Sequence, residues 1–267
     1  MARTEAGAAL THVHRQAQIA LRADVLADLS RMWRLFARPG EDPMALFERF
    51  AAAAEIIIRQ RHNDSAGLAL AYFEEFRRNE GVSGEAPRRV APTPPGEVVR
   101  EALAVAGRSG VAAALRSGRT AAEASNNGLV RVLGAAADLV LGGGRRTLTD
   151  LIRADRQASG WQRVTSGSPC PFCRMLAGRG AVYKTARSAT FQAHTHCSCT
   201  PEPYYPGSRP LPANTRFAQE WETAQREARE AGELRRGTKN DALNAYRRYL
   251  AGRDVAGRSV RSPGTAG

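Results

Sequence analysis

The sequence predicts a mainly α protein with a small β, zinc-stapled module near its C-terminal third, an α+β chain, and three observations carry that expectation. Apolar residues recur at three- and four-residue spacing through most of the first 160 residues. From Gly160 to Tyr205 the pattern changes to short alternating or β-branched runs. All four cysteines fall inside that second region, which is too small to bury its own core, so a metal would supply the missing stability.

The elements follow in order. From Ala6 to Phe36, Leu10, Val13, Ile19, Val25, Leu26, Leu29, Met32 and Trp33 keep the helical period, and Pro39 and Gly40 stop it. Asp42 before Pro43 is a natural N-cap with proline at the first helical position, opening a segment through Leu46, Phe47, Phe50, Ile57 and Ile58. Asn63 to Ser65 breaks the pattern, which Leu68, Leu70, Tyr72, Phe73 and Phe76 resume to Asn79. Aromatic residues at this spacing are expected in a core. Gly81 to Gly96, rich in proline, glycine and arginine, reads as a linker. A second helical group spans Glu97 to Ala106, Val111 to Leu115 and Thr120 to Leu141. Gly142, Gly143 and Gly144 are expected to cap its end; a phosphate-cradling loop is the rival, but no lysine-serine pair follows. A further helix, Thr147 to Gln157, leads to short strands at Trp161 to Thr165, Ala181 to Tyr183 and Thr200 to Tyr205. Helix returns after Pro212 through Phe217, Trp221 and Ala224, and from Asp241 through Leu243, Tyr246, Tyr249 and Leu250. The expected division is a helical region 1–80, a linker 81–96, a second helical group 97–159, the zinc module 160–206, C-terminal helices 207–252 and a disordered tail 253–267.

Cys170 and Cys173 have the two-residue spacing of a zinc knuckle, which lets two thiolates face one cation. Within His-Thr-His-Cys-Ser-Cys, His194, His196, Cys197 and Cys199 offer more donors than the other two positions of a tetrahedron need. Mixed thiolate and imidazole ligation suits zinc. Two disulfides would use the same residues in a secreted chain. No apolar run before a cleavage site marks the N-terminus, where Arg3 and Glu5 stand, so a cytosolic chain and a metal are expected. A thioredoxin-like redox pair lacks its strand-and-helix context. His12, His14 and His62, on helical segments, are expected to be solvated or interfacial.

At 267 residues and 43% hydrophobic content, one good core or two modest ones can form. The net charge of +13 is carried almost wholly by arginine, with Lys184 and Lys239 the exceptions. Alanine and glycine abundance beside it points to a GC-rich coding bias, yet the charge suits a polyanion partner. Arg235, Arg236, Arg247, Arg248, Arg253, Arg258 and Arg261 make the C-terminal end the most basic stretch, where weak, salt-sensitive, non-specific DNA contact is expected.

The run from Gly160 through Cys170-Pro-Phe-Cys173-Arg-Met-Leu176-Ala-Gly178 to Tyr183, followed by His194-Thr-His196-Cys197-Ser-Cys199 and Glu202-Pro-Tyr, resembles the MuF-like minor capsid proteins of phages infecting actinobacteria. Their signature, Cys-x-x-Cys-x-x-Leu-x-Gly and then His-x-x-Cys-x-Cys, matches at Cys170, Cys173, Leu176, Gly178, His194, Cys197 and Cys199, and so favours His194 over His196 as a ligand. The resemblance implies a virion protein of the phage head interior, assembled in the host cytoplasm. It would act in capsid assembly and in DNA packaging or delivery, beside portal and major capsid or scaffold proteins, and not at a membrane. The group also carries the label capsid maturation protease, which is the competing function. For that chemistry no His-Glu-x-x-His, no Gly-x-Ser-x-Gly and no obvious serine with paired histidines is present; a zinc held by Cys170, Cys173 and one histidine would leave one position for water, with Glu202 close enough in sequence to act as base. The surplus of Cys197 and Cys199 fills that position, and closed shells are structural. A free zinc-ribbon nucleic-acid binder is the third alternative, though the long apolar helices suit an assembly scaffold better than a recognition helix.

Overall fold

The computed structural model describes residues 2–37, 42–181, 191–234 and 241–259. Pro39 and Gly40, most of the strand expected at Ala181 to Tyr183, and Arg235, Arg236 and Arg261 lie outside these residues. Among the described residues the protein is mainly helical, with seven helices and one two-stranded sheet. The chain forms two compact units, one of Met1–Val164 with Ala181–Arg209 and one of Thr165–Gly180 with Pro210–Gly267.

The first unit packs four helices, α1 (Glu5–Phe36), α2 (Pro43–Asn79), α3 (Gly96–Arg116) and α4 (Ala121–Ala154), against β1 (Gly160–Val164) and β2 (Thr200–Tyr204). Thr4 caps α1 through the Gly7 N–H, and Thr120 with Glu123 forms a reciprocal capping box on α4. Leu29, Trp33, Phe47, Phe50, Ile58, Leu103, Val132 and Val140 fill one core. Tyr72, Phe73, Phe76, Leu148, Leu151, Trp161 and Tyr205 fill a second, so the aromatic stripes are core as their spacing predicts.

Three helices are longer than their local patterns suggest. Asn63 to Ser65 does not interrupt α2, because Ser65 faces α1: its hydroxyl donates to Gln18 Oε1 (2.7 Å), and its carbonyl accepts from Gln18 Nε2 (3.1 Å). The two segments expected between Glu97 and Leu115 are one helix, α3. The triple glycine does not end α4, which runs on to Ala154. A Cβ on Gly143 would stand 2.2 Å from the His62 carbonyl oxygen, and one on Gly144 2.8 Å from Ser65 Oγ. Glycine is there so that α2 and α4 can approach backbone to backbone, a tertiary gain that outweighs a helix cost of about 1 kcal/mol per glycine. His14 and His62, expected to be solvated or interfacial, are buried in this interior. His14 stacks on Tyr72 with ring centroids 4.4 Å apart, and burial holds its pKa down to about 4. His62 Nδ1 lies 2.8 Å from the Leu139 carbonyl oxygen, and burial holds its pKa below the ordinary value.

The β strands are antiparallel, pairing Gly160 with Tyr204 and Val164 with Thr200. Where α2, α4 and β2 end, Asp155 joins them. Its carboxylate accepts from Arg77 Nε (3.0 Å), the Tyr205 hydroxyl (2.9 Å) and the Gln157 N–H (3.0 Å). The remaining Arg77 nitrogens donate to the carbonyls of Val82, Ser83 and Gly84, so the coil after α2 is held although it has no regular structure. Both partners of this ion pair are almost wholly buried.

The second unit consists of α5 (Pro171–Gly178), α6 (Pro212–Glu230) and α7 (Asp241–Ser259). Tyr246 of α7 meets Trp221 edge to face and donates its hydroxyl to Glu220 Oε2 (3.1 Å), which also pairs with Arg174 of α5 (3.5 Å). Helix α7 passes Arg253, where disorder is expected, and reaches Ser259.

Removing one partner of a buried ion pair strands the other charge, at a cost of about 3–5 kcal/mol. Asp155→Ala should therefore lower unfolding stability by about that amount in urea titration, and Asp155→Asn, which keeps acceptors for Arg77 and Tyr205, by less.

Candidate metal centre

The four cysteines are arranged as two local pairs, and different backbone devices set each one. Cys170 and Cys173 belong to the second unit, whereas His194, His196, Cys197 and Cys199 belong to the first. All four cysteines carry thiols and form no disulfides.

In the second unit Cys170 is the N-cap of α5, with extended backbone (φ −66°, ψ 162°) and Pro171 following at the first helical position. Its Sγ accepts from the Cys173 N–H at 3.4 Å. A cap and the residue three places on share one side of a helix, so the two Sγ atoms lie within 4.8 Å of each other. Arg174 Nε donates to the Pro169 carbonyl (3.1 Å) and fixes the chain entering the pair. Further along α5, Leu176 is buried, and Gly178 lets α6 pass closely: a Cβ there would stand 2.9 Å from the Ala218 nitrogen. The run from Cys170 to Gly178 is thus one capped, tightly docked helix of about two turns.

In the first unit His194 to Cys197 form a turn closed by the Cys197 N–H on the His194 carbonyl (3.0 Å). His196, at the third position of that turn, has φ +68°, the sign a type II turn requires there. Its ring lies over α4, with Nε2 2.8 Å from where a Cβ on Gly134 would stand. Burial, then the charges of Arg22 and His194, push its pKa down against the pull of Asp138. His194 Nδ1 lies 2.6 Å from the Thr195 carbonyl oxygen. Donation to that oxygen makes Nδ1 the protonated nitrogen and puts the ring's lone pair on Nε2.

After the turn the chain straightens toward β2. Alternate residues of an extended chain project to one side, and the Sγ atoms of Cys197 and Cys199 lie within 4.8 Å of each other. The Cys199 N–H meets Cys197 Sγ at 3.5 Å, and both side chains are buried. Their carbonyls are held from α4: Arg145 donates through Nε to Cys199 O (3.1 Å) and through a terminal nitrogen to Cys197 O (2.5 Å). Its other terminal nitrogen pairs with Asp138 at 2.8 Å. Upstream, Arg163 donates to the Gln192 carbonyl (2.6 Å) and lies 3.9 Å over the Phe191 ring, which stacks on Trp161.

Among the described residues, Cys170 with Cys173 in the second unit, and Cys197 with Cys199 in the first, each bring two thiols close enough to share one metal ion, and His194 offers an imidazole in the first. Thiolate and imidazole donors fit zinc by type. Glu202 does not fit a general base. It faces Gln162 across the strand pair, accepts from Gln162 Nε2 (2.8 Å) and is 1% exposed. Burial pushes its carboxyl up, against the hydrogen bonds from Thr11 and Gln162. Arg145 is the residue that motif reading passes over, hidden as one of many arginines behind the triple glycine. Asp138, seven residues earlier on the same helix face, is its one sequence-level sign.

Among known families, the model described as VG15 protein matches residues 5–224, which spans α1 through most of α6. No curated protein matches the chain, and no solved structure does.

Proposed function

This chain belongs to the VG15 protein family, which is phage-associated, and from that premise we propose that it is a MuF-like minor head protein built around one structural zinc ion. The observation that carries this reading is how the signature residues are used. Cys170 caps a helix, Cys173 and Leu176 are buried on it, Gly178 is a close-approach position, and Cys197 and Cys199 are buried with their carbonyls tied down. Six of the seven matched residues thus have a structural use, as a metal-stapled module requires.

In this reading the cysteine and histidine signature of the sequence implies one zinc, with His194 as the imidazole candidate. With the shell closed by protein donors, no water is activated and no peptide bond is cut. The protein then serves in head assembly through contacts with portal and major capsid or scaffold proteins. Its charge of +13 suits a place beside packaged DNA, with contacts to phosphate and not to base sequence. No described helix is long and apolar enough to cross a membrane.

Purified protein should contain one zinc per chain by elemental analysis, and Cys173→Ser should abolish it. Chelation should lower the thermal midpoint sharply, since structural zinc contributes on the order of 10 kcal/mol of apparent binding energy to the folded state. Folded wild-type protein free of metal would overturn the zinc assignment.

Co-expression with the phage's portal and major capsid proteins tests the head role. The chain should co-sediment with assembled heads while the capsid protein keeps its full mass. Shortening of the capsid protein that Cys170→Ser abolishes would establish the protease instead, and absence from the heads would refute the structural role.

A further inference from the structure

We propose that Arg145 is the positioning residue of the Cys197/Cys199 pair, holding the two thiols in ligand geometry before any metal arrives; the metal half of this inference rests on the zinc reading above. Arg145 sits on α4 with its side chain 5% exposed, and all three guanidinium nitrogens are engaged. Two of them take the carbonyls of Cys197 and Cys199, alternate residues in the segment leading into β2. Fixing carbonyls i and i+2 from one side fixes the backbone between them, and with it the common side to which both thiols project. The third nitrogen is anchored by Asp138, which stops the fork from rotating.

Geometry also explains why the residue is arginine. A planar guanidinium spans two carbonyls and a carboxylate at once, whereas a lysine ammonium at the same place is a point charge that cannot hold all three in fixed directions. The Phe191 ring lies 5.3 Å from the guanidinium carbon, so the head group also packs against an aromatic face. Outer partners of metal ligands of this kind typically change affinity by about 10–100-fold when altered. Arg145 acts through the backbone of its ligands and touches neither thiol as a donor in the bonds described, so it serves the site without being part of the metal shell.

The test uses the full chain and two readouts on Arg145→Lys, with far-UV circular dichroism to verify that the helices remain. The first is zinc affinity by competition with a chromogenic chelator, where a loss of about 10–100-fold is expected. The second needs no zinc: metal-free protein is titrated with a trivalent monoarsenical, which bridges two adjacent thiols, and the bridged peptide carrying Cys197 and Cys199 is followed by mass spectrometry. Capture at that peptide should weaken by a similar factor in Arg145→Lys. Should Arg145→Lys lose its helices, Asp138→Ala, at a more exposed position, provides the same comparison with a smaller expected loss of several-fold. If wild-type protein binds no zinc but the arsenical result holds, the zinc reading falls and the positioning role stands. If zinc binds and neither readout changes in the variants, Arg145 is not a positioning residue.

Discussion

Buried arginines hold the irregular backbone of the helical unit. A carbonyl removed from water and given no partner costs about 1–3 kcal/mol, and coil segments have no ladder to supply one. Arg77 meets this need for Val82, Ser83 and Gly84, Arg163 for Gln192, and Arg145 for Cys197 and Cys199. Arg77 is neutralised by Asp155 and Arg145 by Asp138, so these forks are delivered without an uncompensated buried charge. Because Asp155 also receives the Tyr205 hydroxyl, the same carboxylate ties the end of α4 to the chain leaving β2. The cysteine loop lies between two segments that arginine and this carboxylate fix in place, Gln192 upstream and Tyr205 downstream.

Much of this was legible in the sequence where local chemistry decides. The Leu, Val and Trp period of α1 and the Pro43 start of α2 are both found in the fold, and the strand runs at Trp161 and Thr200 lie where alternation places them. What was not legible depends on neighbours distant in sequence. Gly142 to Gly144 read locally as a helix end, yet the space that Gly143 and Gly144 leave is occupied by the His62 carbonyl and Ser65 of α2. Asn63 to Ser65 read as a break because polar residues favour turns, and only the partner Gln18 shows why one is kept inside a helix. His14 and His62 carry no local sign that they are buried.

At the candidate site, cysteine spacing identified both pairs, since thiol separation within Cys-x-x-Cys and Cys-x-Cys is set by the nearest backbone. Roles that depend on tertiary placement were not visible. Glu202 is near the cysteines in sequence, but its strand register turns it toward Gln162 and away from water. Arg145 lies more than fifty residues before the carbonyls it holds, and only Asp138, on the same helix face, marks it in the sequence.

These features describe thiol pairs set by their backbone and a Glu202 carboxyl, the nearest in sequence to the second pair, withdrawn from solvent. In the reading proposed above, the metal is a staple. Sulfur coordination is the most direct check on that claim. X-ray absorption at the zinc edge should show at least three sulfur scatterers at about 2.3 Å, with a protein nitrogen or a fourth sulfur completing the shell. A shell of two sulfurs and two light atoms, one of them exchangeable water, would contradict it and return the site to catalysis.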